Sequence, residues 1–358
     1  MKRLVMGCLL AALSLQAQAG PKSIFLQLNQ PFVEADMRAW LQKACDLKDA
    51  GDPNQLTNLV IQQATHSDGT LRAAALNVAE PYFRCFGSVF FGVAHRSNEE
   101  WKDWPRPPDK DKTNDNPGTM YDAGIKDASF RADGIRVAKL AADNITARFP
   151  NLPFHWYVSY ESNLNYMTDA AIRGAYKEYL SQVTAYLYAV KPRSILWSPA
   201  FWTPYDTLSA AQRESLTAAV AEVLASSPRL NRLDFQDFIG QASTVTCVSP
   251  TNCLPWQPVR YKIDYRNTLG YYALMRDAQA RAGNTVVNLM VNMEMFITQR
   301  DAAGNEVGFT TGDPPELALR EQKYRENGIP IGACWEIRYW YFSNYGVPAV
   351  TWTYPAPQ

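Results

Sequence analysis

Two glutamates in this chain each end an apolar run, and their type and placement could support chemistry. Glu161 follows the run 154–160, and Glu294 follows the run 287–293, where it lies between two methionines. A carboxylate embedded among apolar side chains costs free energy unless it is paired or has a function. Two such groups could divide acid and base work between them. Each could instead form an ion pair with an arginine or lysine at the rim of the fold.

The two runs belong to a series of eight short apolar segments that predict β-strands. These segments are residues 23–29, 56–62, 88–94, 154–160, 194–197, 233–239, 285–292 and 329–335. Helical patterns separate most of them, at residues 35–48, 127–148, 168–190, 210–226, 269–281 and 315–326. The weak part is the second unit, because Pro81 interrupts a poor helical pattern between the second and third strands.

This alternation predicts an α/β fold, a single (β/α)8 TIM barrel with long loops on its C-terminal face, rather than an open sheet. A barrel needs about 250 residues, so the rest of the chain must lie in loops. The longest are residues 98–122 and 241–264, and both follow a strand. We therefore expect both at the C-terminal face, where barrel active sites lie. No linker divides the chain into two domains.

On such a barrel Glu161 ends the fourth strand and Glu294 the seventh, on roughly opposite sides of one mouth. A pair of this kind could act across a glycosidic bond, one group protonating the leaving oxygen and the other serving as nucleophile or base. In a retaining mechanism Glu294 attacks the anomeric carbon and Glu161 protonates the departing oxygen, then activates water. We expect a raised pKa for Glu161 and carboxyl groups about 5–5.5 Å apart.

The arrangement resembles the large clan of retaining glycoside hydrolases with a β/α barrel. In that clan the acid/base glutamate ends the fourth strand and the nucleophile ends the seventh. The resemblance covers the chain after residue 19 and implies that Glu161 is the acid/base and Glu294 the nucleophile. An asparagine usually precedes the acid/base glutamate and contacts the sugar 2-hydroxyl, whereas this chain has Tyr160 there. A closer likeness, to secreted glycoside-hydrolase-like domains of unknown function, is carried by residues 157–161, 235–240 and 334–336.

Polar and aromatic residues at the other strand ends would suit a sugar cleft, since amides match hydroxyl groups and ring faces match apolar sugar faces. The predicted substrate-binding residues are Asn29, Gln62, His66, His95, Tyr160, Asn163, Trp197, Trp202, Asp237, Asn292, Trp335 and Glu336. Asp237 could instead hold a catalytic group in place, and Trp197 or Trp335 could belong to the core. Glu336 is the rival to Glu294 as nucleophile.

Composition excludes several other classes of protein. The chain has 35 basic and 35 acidic side chains, which argues against nucleic-acid binding and against a polybasic membrane-surface protein. Neither a nucleophile elbow nor a nucleotide-binding glycine motif is present, and the three histidines lack metal-ligand spacing. We therefore predict no cofactor and no metal. An acidic loop around Asp109, Asp111 and Asp115 could bind Ca²⁺, although charged loops are usually only solvated.

The first 19 residues predict a secretory signal peptide. Lys2 and Arg3 precede a short apolar run at 4–15, and residues 17–19 form a small-x-small cleavage site. The run is too short to span a bilayer, and no later run is long enough. Acylation of Cys8 in a lipoprotein is a weaker alternative. The mature barrel, residues 20–358, is therefore expected to be soluble and exported, either to a periplasm or out of the cell.

Five cysteines remain after such cleavage, which fits an oxidising compartment. Cys247 and Cys253 flank a five-residue loop and predict a local disulfide. Cys45 and Cys85 could form a second one. Cys334 lies in an apolar stretch and is expected to be a buried free thiol.

Taken together, these features predict an exported glycoside hydrolase acting on a polysaccharide or oligosaccharide, with no nucleic-acid partner and no membrane span. One alternative is a non-catalytic carbohydrate-binding barrel, which is favoured by Tyr160 in place of the asparagine that usually precedes the acid/base glutamate. The other is an exported interaction protein that binds another protein through its mouth loops, which the long loop at 98–122 would permit. The sequence leaves the sugar, the linkage and the oligomeric state open.

Overall fold

The computed structural model describes residues 22–28, 34–96, 124–242, 264–283, 288–300 and 306–340, together with the backbone of 352–353. The predicted signal peptide, Asn29, the acidic loop and the Cys247–Cys253 pair lie outside the described residues. So do residues 97–123 and 243–263, which hold most of the two long loops.

Eight parallel strands form the barrel that the alternation predicts. They are β1 Ser23–Gln27, β2 Asn58–Gln62, β3 Ser88–Val93, β4 His155–Val158, β5 Ile195–Trp197, β6 Arg232–Gln236, β7 Asn288–Asn292 and β10 Ala333–Cys334. The strands β1 to β7 pair in sequence order, and β10 pairs with β1. Parallel bridges from Val291 to Ile331 and from Glu294 to Trp335 join β7 to β10 and close the ring. The prediction of a single (β/α)8 barrel is confirmed.

Helices lie between the strands along the chain. They are α1 Glu34–Asp49, α2 Ala73–Ala79, α3 Ala128–Arg148, α4 Ala170–Val190, α5 Ala210–Ala225, α6 Ile239–Ala242, α7 Tyr265–Arg281 and α8 Pro314–Glu326. Side-chain caps fix where several begin, because an oxygen acceptor satisfies backbone N–H groups that lack a helical partner. Asp127, Asp169 and Asp264 cap α3, α4 and α7, and Ser209 forms a capping box with Gln212 on α5.

The second β/α unit is as weak as its sequence indicated. It contains the seven-residue helix α2 and then a 3₁₀ helix, Glu80–Cys85, with Pro81 in its first turn. Proline is tolerated in the first turn of a helix because a backbone N–H at that position would have no partner within the helix. A disulfide between Cys45 and Cys85, a pairing that the sequence had left open, ties this unit to α1. The predicted free, buried thiol of Cys334 is also confirmed.

Side chains on the strands alternate between two packed layers, as the pleat requires. Those that face outward join the large core between the barrel and its helices. Those that face inward fill the barrel with one smaller layer, which consists of Phe25, Val60, Phe90, Tyr157, Leu196 and Ala333. The interior is therefore a packed core, and the polar residues that follow this layer along the strands form its upper surface.

A three-stranded antiparallel sheet adjoins the barrel and was missed in the sequence analysis. Its strands are β8 Phe296–Arg300, β9 Glu306–Thr311 and β11 Trp352–Thr353. Runs of β-branched and aromatic residues at 296–298 and 309–311, with Gly304 and Asn305 between them, are a hairpin signal that could have predicted β8 and β9. The hairpin begins two residues after Glu294, so it lies beside the barrel mouth. Among the described residues, no helix is both long and apolar enough to cross a membrane.

Candidate active site

Glu161 lies at the mouth of the barrel, on the inward side of the chain that leaves β4. Trp156, Val158 and Tyr160 belong to the outer core, whereas Tyr157 belongs to the inner layer. Continuing this alternation turns Glu161 inward. Its Oε1 accepts a hydrogen bond from Nε2 of Gln62 at 3.0 Å, which fixes the side chain against the end of β2.

The surroundings of Glu161 favour its protonated form. Solvent reaches the side chain from the mouth, while the barrel wall encloses it on the other sides. This loss of hydration raises the pKa of Glu161 above its usual value, and hydrogen bonds from Gln62 and Gln236 oppose the rise. An upward shift of the pKa is the direction expected of a general acid.

Glu294 lies at the same mouth, after β7. Its neighbours Met293 and Met295 pack in the outer core, so the glutamate between them faces inward. The residue is buried, with 3% of its surface exposed. Its Oε2 lies against Gly240 of α6, where an added Cβ would come within 3.1 Å of that oxygen and would collide with the carbonyl oxygen of Phe296. A glycine at position 240 therefore leaves the space that Glu294 occupies.

A buried ion pair holds the backbone on both sides of Glu294. The N–H of Glu294 donates to Oδ1 of Asp237 at 3.1 Å, and Oδ2 of Asp237 accepts from Nη1 of Arg320 at 3.0 Å. Nη2 of Arg320 donates to the carbonyl oxygen of Glu294 at 2.7 Å, and the Tyr324 hydroxyl donates to Asp237 at 2.8 Å. Asp237 thus holds Glu294 in place, the second of the two roles considered for it.

Arg320 and Tyr324 were not predicted as site residues, although their spacing carries a signal. Leu317, Arg320 and Tyr324 are all buried and lie at i, i+3 and i+7 on α8. Such spacing puts them on one helix face. An arginine within the apolar face of a helix needs a buried partner, and this requirement could have marked Arg320.

Trp335 ends the last barrel strand and is half-buried at the mouth. Its indole Nε1 donates to Oε1 of Gln62 at 3.1 Å. Its ring lies 4.9 Å from the ring of Phe296 and stacks on Tyr339 at 6.0 Å between centroids. Backbone hydrogen bonds from Met295 N–H to its carbonyl (2.8 Å) and from its N–H to the carbonyl of Met293 (3.1 Å) tie it to the Glu294 segment. Gln62 and Trp335 are thus brought together with the two glutamates.

Tyr160 and Trp197 are not in the mouth, so their prediction as substrate-binding residues is corrected. The ring of Tyr160 packs on Tyr176 and Tyr179 of α4, with centroids 5.6 and 5.1 Å apart. Trp197 is fully buried and donates from Nε1 to the carbonyl oxygen of Tyr160 at 2.9 Å. Both side chains face outward because they alternate with inward-facing neighbours on β4 and β5.

Asn163 shapes a loop and does not offer its side chain to the mouth, which corrects a second prediction. Its buried Oδ1 accepts hydrogen bonds from the N–H groups of Asn165 (3.1 Å) and Trp202 (3.3 Å). Trp202 itself stacks on Phe238, with ring centroids 5.5 Å apart. The two rings form a small cluster with Ala200 and Ile239, and Trp202 is buried there.

The two predicted histidines lie in different places. His66 is exposed in a turn that Asn144 of α3 holds through the carbonyl of Gly69, at 2.9 Å. This turn packs on an outer helix, and a substrate-binding role for His66 stays a prediction. His95 is half-buried after β3, and its ring meets the edge of Tyr160 at 5.7 Å.

Asn292 and Glu336 complete the predicted set. Asn292 is buried, donates to Oγ of Ser198 at 3.1 Å, and lies on the same side of the chain as Glu294. Glu336 is buried elsewhere: its Oε2 accepts from the N–H of Gln27 at 3.2 Å, and its Oε1 is 2.9 Å from Nε of Arg338. Because Arg338 lies over the ring of Trp40 on α1, Glu336 belongs to the barrel wall. The structure therefore gives Glu336 no place as the rival nucleophile.

The arrangement combines an acid open to solvent, a buried second glutamate with a firmly held backbone, neutral amides and an aromatic ring at one mouth. Within the described ranges, no three or more His, Cys, Asp or Glu side chains gather as a metal site. The side-chain donors to Glu161 are the neutral amides of Gln62 and Gln236. Such a site can transfer a proton and present a carboxylate to one bound molecule.

Comparisons with known proteins concern the fold. No protein-family model matches the chain, and no curated protein matches it. A xylanase XynB structure from Paenibacillus barcinonensis is 13% identical, with 91% of this chain and 94% of that one covered and a TM-score of 0.41. The β-glycosidase from Thermosphaera aggregans is 13% identical (84% and 76% covered, TM-score 0.42). A xylanase Xyn10A mutant from Cellvibrio japonicus is 11% identical (93% and 91% covered, TM-score 0.45). At these values the likeness is one of barrel architecture alone.

Proposed function

We propose that this protein is an exported glycoside hydrolase that cleaves a polysaccharide or oligosaccharide by a retaining, two-carboxylate mechanism. One observation carries the proposal: Glu161 and Glu294 both face inward after β4 and β7 of one closed barrel, at its C-terminal mouth. Two carboxyl groups on opposite sides of one cleft are what glycoside hydrolysis requires.

The different surroundings of the two glutamates support different roles. Solvent reaches Glu161 from the mouth, while the surrounding barrel wall removes part of its hydration and raises its pKa, the direction that a general acid needs. Glu294 is buried, and hydrogen bonds fix its backbone on both sides. A nucleophile held in this way loses little further freedom on reaching the transition state.

The reaction then has two steps. Glu294 attacks the anomeric carbon and forms a glycosyl ester, while Glu161 gives its proton to the departing glycosidic oxygen. Glu161, now a carboxylate, removes a proton from water as that water attacks the anomeric carbon, which frees Glu294 and restores the acid. Trp335 would provide a ring face for an apolar sugar face, and the amides of Gln62, Gln236 and Asn292 suit neutral hydroxyl groups.

Export belongs to the proposal because of the predicted signal peptide at residues 1–19. The disulfide between Cys45 and Cys85 supports it, since such bonds persist mainly in oxidising compartments. Fractionation of the source cells followed by N-terminal sequencing of the mature protein would test this part.

The experiment for the activity is release of reducing ends from a panel of bacterial and plant polysaccharides. Wild type, Glu161→Gln and Glu294→Gln would be compared, with Glu336→Gln as a test of the buried rival and Glu326→Gln as a surface control. We expect release by the wild type and by the surface control, and a large loss in both site variants. Equal release by Glu294→Gln and wild type would reject Glu294 as nucleophile.

Two further readouts test the retaining mechanism. Proton NMR of the first product should show the anomeric configuration of the substrate, whereas inversion would reject the two-step scheme. In Glu161→Ala, an aryl glycoside with a good leaving group should still form the glycosyl ester, and added azide should speed its turnover. That rescue is expected because azide needs no general base.

One observation favours a non-catalytic carbohydrate-binding barrel as the second candidate. Tyr160 faces the outer core, so the position before Glu161 offers no polar group to a sugar 2-hydroxyl. Binding of a polysaccharide, measured by calorimetry, without any release of reducing ends would favour this candidate.

A further inference from the structure

Gln62 lies between Glu161 and Trp335 and is hydrogen-bonded to both. Nε2 of Gln62 donates to Oε1 of Glu161 at 3.0 Å, and its Oε1 accepts from the indole Nε1 of Trp335 at 3.1 Å. We propose that Gln62 is a positioning residue, oriented by Trp335, that holds Glu161 through Oε1 and disfavours protonation of that oxygen. Its catalytic meaning depends on the proposed function, but its effect on Glu161 can be measured without any activity.

The chemistry of the indole fixes the orientation of the Gln62 amide. A tryptophan Nε1–H can donate but cannot accept, so it must face the amide oxygen of Gln62. The amide NH₂ group is then left to face Glu161. Because Gln62 is buried and has only 3% of its surface exposed, an amide flipped about its last bond would lose both hydrogen bonds.

This orientation distinguishes the two oxygens of Glu161. Oε1 accepts the amide N–H, so a proton on the same oxygen would face a donor across the hydrogen bond. Gln62 therefore disfavours protonation of Oε1 in the acid form. Donation by Gln62 also stabilises the charged form and limits how far the loss of hydration can raise the pKa of Glu161.

The ionisable groups around Glu161 come from three strands. Tyr157 lies on its own strand, with a pKa raised well above its ordinary value by burial and by the nearby charges of Glu161 and Asp234. Asp234 lies on β6 and Glu294 follows β7. Gln236, also on β6, is a second neutral donor to Glu161. Removal of Gln62 thus takes away one of two amides that stabilise the carboxylate and leaves these groups in place.

The barrel offers a matched control at the next strand. Gln27 is the register partner of Gln62, on β1 at the same height of the barrel. Its backbone N–H donates to Glu336, and its Oε1 has no hydrogen-bond partner among the described residues. Gln27→Leu therefore removes an equivalent amide without touching Glu161.

The experiment is a titration of ¹³C-labelled glutamate carboxyl groups by NMR, with the Glu161 signal assigned by its absence in Glu161→Gln. We expect the pKa of Glu161 to shift upward in Gln62→Leu, because a donor to the carboxylate is lost, and to stay unshifted in Gln27→Leu. Trp335→Phe keeps a ring but removes the N–H, and should shift the pKa in the same direction by a smaller amount. The double variant should match Gln62→Leu, since Trp335 acts through Gln62.

Two outcomes would overturn the proposal: an unshifted pKa in Gln62→Leu, or an equal shift in Gln27→Leu. If Gln62→Leu fails to fold, Trp335→Phe provides the test. An unshifted pKa of Glu161 in that variant would show that Trp335 does not orient Gln62. In an active enzyme the alkaline limb of kcat/KM should move to higher pH in Gln62→Leu. A wild type without hydrolysis would reject the proposed function, while the titration would still test Gln62.

Discussion

Arg320 donates to the carbonyl oxygen of Glu294 at 2.7 Å, across 26 positions of the chain. The same guanidinium forms a buried ion pair with Asp237, whose other oxygen accepts the N–H of Glu294. Two strand ends and helix α8 therefore meet at one backbone segment. A planar group with several fixed donors can make both contacts at once, which a lysine could not.

This geometry predicts a large loss of stability when Arg320 is replaced. In Arg320→Met the Asp237 carboxylate stays buried without its cation, which should lower the free energy of unfolding by about 3–5 kcal/mol. The free energy of unfolding of Arg320→Lys should lie between those of Arg320→Met and the wild type. Urea unfolding followed by tryptophan fluorescence measures the effect.

The control for Arg320 lies on the same helix. Lys323 pairs with Glu326 at the surface, and surface pairs contribute about 0–1 kcal/mol. Lys323→Met should therefore unfold close to wild type. An Arg320→Met variant as stable as Lys323→Met would show that the buried pair does not hold the segment together.

The disulfide between Cys45 and Cys85 closes a loop of 40 residues, which joins α1 to the irregular second unit. Replacing both cysteines by alanine should lower the free energy of unfolding by about 4 kcal/mol, mainly because the unfolded chain gains freedom. Chemical unfolding with and without reductant measures this. Reductant should cost the wild type more stability than the double variant, and an equal cost in both would contradict the prediction.

Sequence reasoning predicted the barrel and the ends of β4 and β7 because those features repeat locally along the chain. It failed at Tyr160 because adjacency to Glu161 in sequence means opposite faces in a strand, so the neighbour of an inward residue belongs to the outer core. Arg320 was missed for another reason: its partner Asp237 lies 83 positions away, and only the closed barrel brings them together. Gln62 and Trp335 were both predicted as site residues, but their contact spans 273 positions and could not be predicted without the closed barrel.

The correction at Trp197 leads to a prediction that separates packing from binding. Trp197→Phe removes the donor to the Tyr160 carbonyl in the outer core, which should lower the free energy of unfolding by about 2 kcal/mol. The KM of the Trp197→Phe variant for a substrate, or its affinity for a polysaccharide, should be unchanged. Trp335→Ala should weaken binding instead, because its half-buried ring lies at the mouth. Calorimetry with both variants tests the contrast. Weaker polysaccharide binding in Trp197→Phe would show that Trp197 takes part in binding.

Asp234 makes the stability of the barrel depend on pH. It is fully buried on β6, and its Oδ2 accepts the N–H of Ala333 at 2.9 Å. Burial raises the pKa of Asp234 from 3.8 to about 6, with the Ala333 hydrogen bond and Arg232 opposing the rise. Between these two pH values the folded protein binds more protons than the unfolded chain, so stability should fall as the pH rises. The stability that Asp234 contributes is fully present below about pH 4 and is lost above about pH 6.

Asp234→Asn should remove this dependence, because asparagine keeps an oxygen for the Ala333 N–H and cannot ionise. The difference in unfolding free energy, wild type minus variant, should fall by about 3 kcal/mol between pH 4 and pH 7. Urea unfolding at several pH values measures it, and the subtraction cancels the other titrating groups. Asp277→Asn, at an exposed position, controls for the loss of one negative charge. A difference that stays constant with pH would mean that Asp234 has the same pKa in the folded and unfolded chains.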